Sequence, residues 1–242
     1  MRPFFQLFRL WGLIVKTTWT YFRIQYQPKN VPVLPIDTQI ELKFQPSIKG
    51  LYFYMLAHAY TFYHGCRWSI SLDRQRFELL MATFRGMIHD SMEFFLSSPT
   101  TIQRRFSYNP LLWIVYVFDR PINCYPSLHI SLNVLTYHLS LVFDAPTSEQ
   151  MSKKRALCRR ICRSTMETGQ HGAIDVIGGF VCARSAFLYF FSEHQHMWQS
   201  DFLFDVLPVL SSEERKIIES NISQLENAGQ VFPHLLALRN VA

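Results

Sequence analysis

Apolar residues recur along this chain at helical spacing, and nowhere do they alternate two by two over the length of a strand. That pattern restricts the fold to the all-α class, a bundle of amphipathic helices that each bury one stripe against their neighbours. The spacing predicts helices over residues 4–24, 47–64, 75–97, 109–118, 127–143, 152–167 and 172–191, with shorter ones near 200–208 and 212–227. Pro32, Pro35 and Pro46 mark an extended linker, and Asp144, Ala145, Pro146 and Thr147 mark a break after the fifth helix. Ser211 with Glu214 forms a capping box for the last helix, and Gly229 is its stop. A chain of 242 residues can bury a sizeable core, so we expect a bundle of about six helices over residues 30–191. A basic N-terminal segment, 1–29, precedes it, and a helical appendage, 192–242, follows it.

Charge sets the second constraint. Hydrophobic residues make up 49% of the chain, yet the mean hydropathy is only +0.03, because charges are spread through the apolar segments. The net charge of +6 is concentrated at the N-terminus (Arg2, Arg9, Lys16, Arg23, Lys29) and in the run Lys153 to Arg163. Interleaved with Phe4, Phe5, Phe8, Trp11 and Trp19, the first cluster describes a basic amphipathic segment suited to an anionic lipid surface; the plainer alternative is a solvated helix face. No recognised nucleic-acid-binding motif accompanies the charge, so no nucleic-acid partner is expected. Arg9 splits the first apolar stretch and no small-residue cleavage pattern follows, which argues against a cleavable signal peptide. Five cysteines without framework spacing read as reduced thiols facing a cytoplasmic environment. Cys158 and Cys162, one helical turn apart, lack a second pair and read as core residues; neither a metal nor a cofactor is expected.

Two stretches carry chemistry. In "TGQHGAIDVIGG", His171 and Asp175 are four residues apart and share a helix face, so the carboxylate can hold one imidazole nitrogen and raise the basicity of the other. That arrangement makes a nucleophile. In "NCYPSLHIS", His129 stands at the start of another apolar helix, where backbone N–H groups favour an anion. Upstream, "SPTTIQRRFS" supplies Arg104 and Arg105 just past a helix, with guanidinium forks suited to phosphate oxygens. Two histidines, a carboxylate and an arginine around helix N-termini describe a phosphoryl-transfer site.

These stretches, in this order and about 40 residues apart, resemble the second and third signature motifs of the type-2 phosphatidic acid phosphatase and vanadium haloperoxidase superfamily. The Ser-Leu-His form is similar to the branch of inositol-phosphotransferase-like enzymes that make phosphosphingolipids. "PTTIQRR" resembles that branch's first motif, and "LPIDTQIELKFQPSIKGLYFY" its entry segment. The resemblance implies a helical bundle in which His171 attacks phosphorus, Asp175 orients it, and His129 protonates the leaving oxygen. It also implies that Arg104, Ser127 and backbone N–H groups near Leu128 hold the phosphate, with Arg105 and Arg120 as further cations and no metal required. Two positions depart from the wider family: Ser97 stands where many members carry a lysine, and Thr165 where the third motif has an arginine.

The resemblance implies a phosphatase acting on a lipid phosphate such as phosphatidic acid. A lipid head-group phosphotransferase shares the same site, and nothing in these residues separates water from an alcohol as acceptor. Vanadate-dependent halide oxidation is disfavoured by Ser97 and Thr165, and a lipid-binding protein without turnover remains the non-enzymatic alternative. The partner is a membrane surface or bilayer. Residues 144–170 must return from the far end of one helix to the site, which would take about 18 helical residues to cross roughly 30 Å of hydrocarbon. That return carries Lys153, Lys154, Arg155, Arg159, Arg160 and Arg163, at about 2.5–3.5 kcal/mol each near a bilayer centre. The expectation is a membrane-associated chain, either a bundle resting on the surface or one with unusually polar, mutually paired helices.

Overall fold

The computed structural model describes residues 2–26, 33–35, 44, 46–104, 109–207, 211, 212, 215 and 216. They form an all-α bundle: α1 (Arg2–Tyr26), α2 (Ile48–Ser71), α3 (Arg74–Ser97), α4 (Pro110–Phe118), α5 (Leu128–Asp144), α6 (Ser148–Glu167), α7 (Ala173–Phe190) and the short α8 (Phe202–Val206). The expected helix over 212–227, with its capping box and stop, lies outside the described residues except at Ser211, Ser212, Arg215 and Lys216.

Helices α5 and α7 lie side by side at the centre, with α2 and α6 on one flank and α3 on the other. Helix α1 packs along α2 and α3 as part of the bundle. Residues beyond α7 join the same core: Trp198, Phe202, Leu203, Val206 and Leu207 are buried with Tyr137, Phe180 and Phe187. Arg155 fastens them from α6, donating to Asp201 and Asp205 at 2.7 and 2.6 Å.

Local chemistry sets the boundaries. Asp73, Thr147 and Ser127 cap α3, α6 and α5, and Thr147 exchanges bonds with Gln150 in a capping box. Helix α6 therefore begins at Ser148, earlier than its apolar periodicity. Helix α2 runs past residue 64 to Ser71, because Gly65 is a packing glycine: a Cβ there would meet the Leu10 side chain at 3.1 Å.

Most charges of α6 find partners. Lys154 pairs with Asp144 at 2.5 Å, Arg160 with Glu167 at 2.6 Å and Lys153 with Glu149 at 2.6 Å, while Cys158, Ile161, Cys162, Ser164 and Thr165 are buried. Cys158 and Cys162 pack with sulfurs 4.0 Å apart. Among the described residues one helix, Ala173–Phe190, is long and apolar enough to cross a membrane, and 61% of it is buried inside the bundle.

The approach of α5 to α7 rests on two glycines of the second stretch. A Cβ at Gly179 would lie 2.7 Å from the Ser127 carbonyl oxygen and 2.7 Å from Ile130 Cβ; one at Gly178 would lie 2.2 Å from the Tyr125 ring. Gly179→Ala is expected to cost about 1–3 kcal/mol of stability, since the backbone carbonyl cannot step aside. Thermal unfolding checks this, at about 2–4 °C of Tm per kcal/mol for a chain of this size.

Candidate active site

Two helix starts build the site. Ser127 caps α5 by accepting from the Ile130 N–H at 3.3 Å, and its own N–H donates to the Asp175 carbonyl at 3.1 Å. The first turn of α5 is thereby tied to the first turn of α7. Just before α7, the chain reverses through Gly169, whose φ of +66° is the left-handed conformation glycine accepts most readily. The N–H groups of Gln170 and His171 both donate to the Thr165 carbonyl, at 3.0 and 3.2 Å. The threonine at the third motif's arginine position thus holds the loop that carries His171.

Asp175 folds back against that loop. Its Oδ2 accepts the Gly172 N–H at 2.9 Å and faces His171 Nδ1 at 3.3 Å, and its side chain is fully buried. A carboxylate at Nδ1 holds the proton there and leaves the Nε2 lone pair facing outward. His171 Nε2 lies 3.4 Å from His129 Nδ1, with ring centroids 5.6 Å apart. The structure therefore brings together His129, His171 and Asp175 from positions 46 residues apart at most.

The phosphate-binding candidates are placed unevenly. Ser127 is buried, with its hydroxyl oxygen used as the cap; Leu128 begins the helix, and the Leu128 and His129 N–H groups carry no hydrogen bond among the described residues. Arg104 reaches the site's edge. One terminal nitrogen donates to the Tyr116 carbonyl at 2.8 Å and the other to the Asp119 carbonyl and the Gln170 side chain, while the guanidinium stacks on Tyr116. Burial holds its pKa below the usual arginine value. Arg120 is exposed and stacks on Tyr26 at 4.4 Å, and Arg105 lies outside the described residues.

Three further residues, Tyr54, His58 and Asp119, build the surroundings of His129. Tyr54 of α2 places its hydroxyl 3.1 Å from His129 Nε2 and 2.7 Å from Asp119 Oδ2; His58, one turn on, packs its ring 5.0 Å from that of His129. Asp119, at the C-terminal end of α4, also accepts from Tyr21 at 2.8 Å and Gln25 at 3.0 Å. Burial raises the Asp119 pKa, but His129 and the two tyrosine hydroxyls outweigh it and hold the carboxyl below the usual carboxylate range. Burial and Asp119 together push the Tyr54 phenol well above its ordinary value, so it keeps its proton. Burial, followed by neighbouring His58, pushes His129 down to about 3 against the opposing pull of Asp119. The ligand-free imidazole is therefore neutral at neutral pH, and an anion bound beside it would raise its pKa. A legible signal for Asp119 existed in the sequence: a carboxylate at a helix C-terminus opposes the macrodipole and calls for another reason to be there.

Comparison with known proteins found no family model, curated protein or solved structure that matches this chain.

Proposed function

We propose that the chain is a metal-independent phosphatase of lipid phosphates working through a phosphohistidine. The observation that carries this reading is the 3.4 Å approach of His171 Nε2 to His129 Nδ1, with a buried carboxylate behind His171. His171 Nε2 attacks phosphorus; a P–N bond forms as the P–O bond to the lipid breaks, and His129 gives a proton to the departing oxygen. Water then attacks the phosphohistidine, returns a proton to His129, and releases inorganic phosphate and free His171. The Leu128 and His129 N–H groups, with Arg104, supply donors for the equatorial oxygens. The histidine rings must separate to admit the phosphorus, since their nitrogens now nearly touch.

One observation favours a second reading, transfer of a phospho-head-group to a lipid alcohol. Arg104 already donates to two carbonyls and Gln170, and the carboxylates of Asp119 and Asp175 flank the histidines. A singly charged phosphodiester suits such a site better than a dianionic monoester.

The test is turnover by the full chain in the presence of a chelator. Phosphate released from phosphatidic acid vesicles, with an acid-labile, base-stable phosphoenzyme trapped on quenching, is the expected result. Head-group transfer from a phosphodiester lipid to an added alcohol, without phosphate release, supports the second reading. Binding of phosphatidic acid with no turnover of either lipid would leave a lipid-binding protein.

For location, we infer a bundle resting on a lipid surface, supported by the paired charges of α6 and the largely buried α7. Alkaline carbonate is expected to release the chain from membranes; retention in the pellet would overturn the surface model in favour of a spanning one.

A further inference from the structure

The contacts of His129 extend the site beyond the two histidines and Asp175. Tyr54 has one hydroxyl proton and two neighbours that could take it, Asp119 Oδ2 at 2.7 Å and His129 Nε2 at 3.1 Å. Asp119 is an acceptor on all its other contacts, since Tyr21 and the Gln25 amide both donate to it. An ionised carboxylate at the shorter distance takes the Tyr54 proton. The tyrosine oxygen then has only lone pairs left to offer His129, so His129 Nε2 must be the donor across that contact. The Tyr54 contact thus assigns the resting proton to Nε2 and leaves the Nδ1 lone pair 3.4 Å from that of His171 Nε2, an unfavourable facing that protonation of Nδ1 relieves, so Nδ1 is the nitrogen that gains and loses the catalytic proton.

Resting on the phosphoryl-transfer reading above, we propose that Tyr54 and Asp119 are positioning residues for the general acid. They hold His129 as its Nε2–H tautomer and stabilise its doubly protonated form, so that Nδ1–H points at the leaving oxygen. The site is then a chain of groups with a carboxylate at each end: Asp175 makes His171 a nucleophile, and Asp119, acting through Tyr54, makes His129 an acid. The two ends use different spacing because their tasks differ. Direct contact with Asp175 keeps one proton on His171 and frees a lone pair, whereas an interposed hydroxyl keeps Asp119 from simply taking the proton that His129 must deliver.

The groups facing His129 are Tyr54 and His58 from α2, Asp119 from the end of α4, and His171 from the loop before α7; Arg104 braces Asp119 through its backbone carbonyl. Of these, Tyr54 is the group hydrogen-bonded to Nε2, with Asp119 behind its hydroxyl.

Two measurements on the full chain test the proposal. The first is the imidazole nitrogen spectrum of wild type, with the His129 signals assigned by their loss in His129→Gln. Protonation at Nε2 and a bare Nδ1 near neutral pH are expected; a proton on Nδ1 overturns the proposal, whether or not the Tyr54 and Asp119 variants fold. The second compares phosphatidic acid with p-nitrophenyl phosphate, whose leaving group departs without a proton. Tyr54→Phe is expected to lower kcat on phosphatidic acid by about 10–100-fold with KM within about threefold, and to change p-nitrophenyl phosphate turnover by less than about threefold. Losing the acceptor for Nε2–H disfavours the imidazolium, so the alkaline limb of kcat moves to lower pH, by about one unit. Asp119→Asn is expected to move the limb the same way. Equal losses on both substrates with an unmoved limb would overturn the positioning role. A wild type that turns over neither substrate, and transfers no head group from a phosphodiester lipid to an added alcohol, would overturn the phosphoryl-transfer reading, and the acid role with it, even with His129 protonated at Nε2.

Discussion

His171→Ala is expected to bring phosphate release from phosphatidic acid down to background, a loss of about 10³-fold or more, because the covalent route needs a nitrogen at that point. The side chain is largely buried but stands at the mouth of a loop whose backbone is held independently, with Gln170 and residue 171 both donating through N–H to Thr165. The fold should therefore survive the truncation, and helical content and thermal unfolding check that it does. Asp175→Asn probes the same nitrogen from behind. Its amide can still receive the Gly172 N–H through Oδ1 but brings no negative charge to His171 Nδ1, so activity is expected to fall about 10²–10⁴-fold with the loop in place. The trapped phosphoenzyme should vanish in the first variant and form slowly in the second. Equal release by wild type and both variants would eliminate the catalytic reading.

The part of the site legible in the sequence is the part encoded locally. His171 and Asp175 are one helical turn apart, so a helix start alone brings them together; that Ser127 caps α5 and that Gly178 and Gly179 make room for a close helix contact is seen only in the fold. The facing of His129 and His171 followed from the resemblance rather than from periodicity. What was not legible depends on three-dimensional packing between helices. Tyr54 is one of several aromatic residues in "GLYFYMLAHAY", and nothing in its spacing distinguishes it from its neighbours. It becomes special only when α2 lies beside the start of α5, with the end of α4 beyond. His58 likewise has nothing in its spacing to distinguish it among nine histidines. In the fold, the helical class and most helix positions followed from apolar spacing. The errors fell where one residue type serves two purposes: Gly65 stops no helix because it makes room for Leu10, and Ser148 starts α6 because the capping chemistry of Thr147 outweighs a polar first turn.

Helix α1 shows the limit of reading one apolar stripe per helix. Its inner face, with Gln6, Leu10, Ile24 and Gln25, is buried in the bundle. A second stripe runs its whole length at three- and four-residue steps (Phe4, Phe8, Trp11, Val15, Trp19, Phe22, Tyr26) and is exposed, Phe4 at 83% and Trp19 at 73%. Exposed Lys16 and Arg23 border that stripe. It continues onto neighbouring helices: Trp11 packs against Phe62 of α2 at 5.3 Å, and the Tyr26 hydroxyl reaches the last carbonyls of α4, where Val117 and Phe118 are exposed. An apolar face of this extent is unfavourable in water, and aromatic residues edged by cations match the boundary between lipid headgroups and acyl chains. Because α4 ends at Asp119, which Tyr54 links to His129, a lipid surface on this face would lie close to the histidines that the proposed function uses. The full chain is therefore expected to sediment with vesicles containing phosphatidylserine. Phe8→Glu with Trp19→Glu should weaken that partition about 100-fold or more, since each aromatic contributes about 1.5–3 kcal/mol when buried and a tenfold change corresponds to about 1.4 kcal/mol. Lys16→Gln with Arg23→Gln should remove about 1 kcal/mol per charge and flatten the salt dependence. Both substituted residues of the first pair lie on the outer stripe, away from the buried face, so folding and turnover of water-soluble p-nitrophenyl phosphate are expected to persist. Vesicle binding undiminished by the two glutamates would mean that the lipid-facing surface lies elsewhere on the bundle.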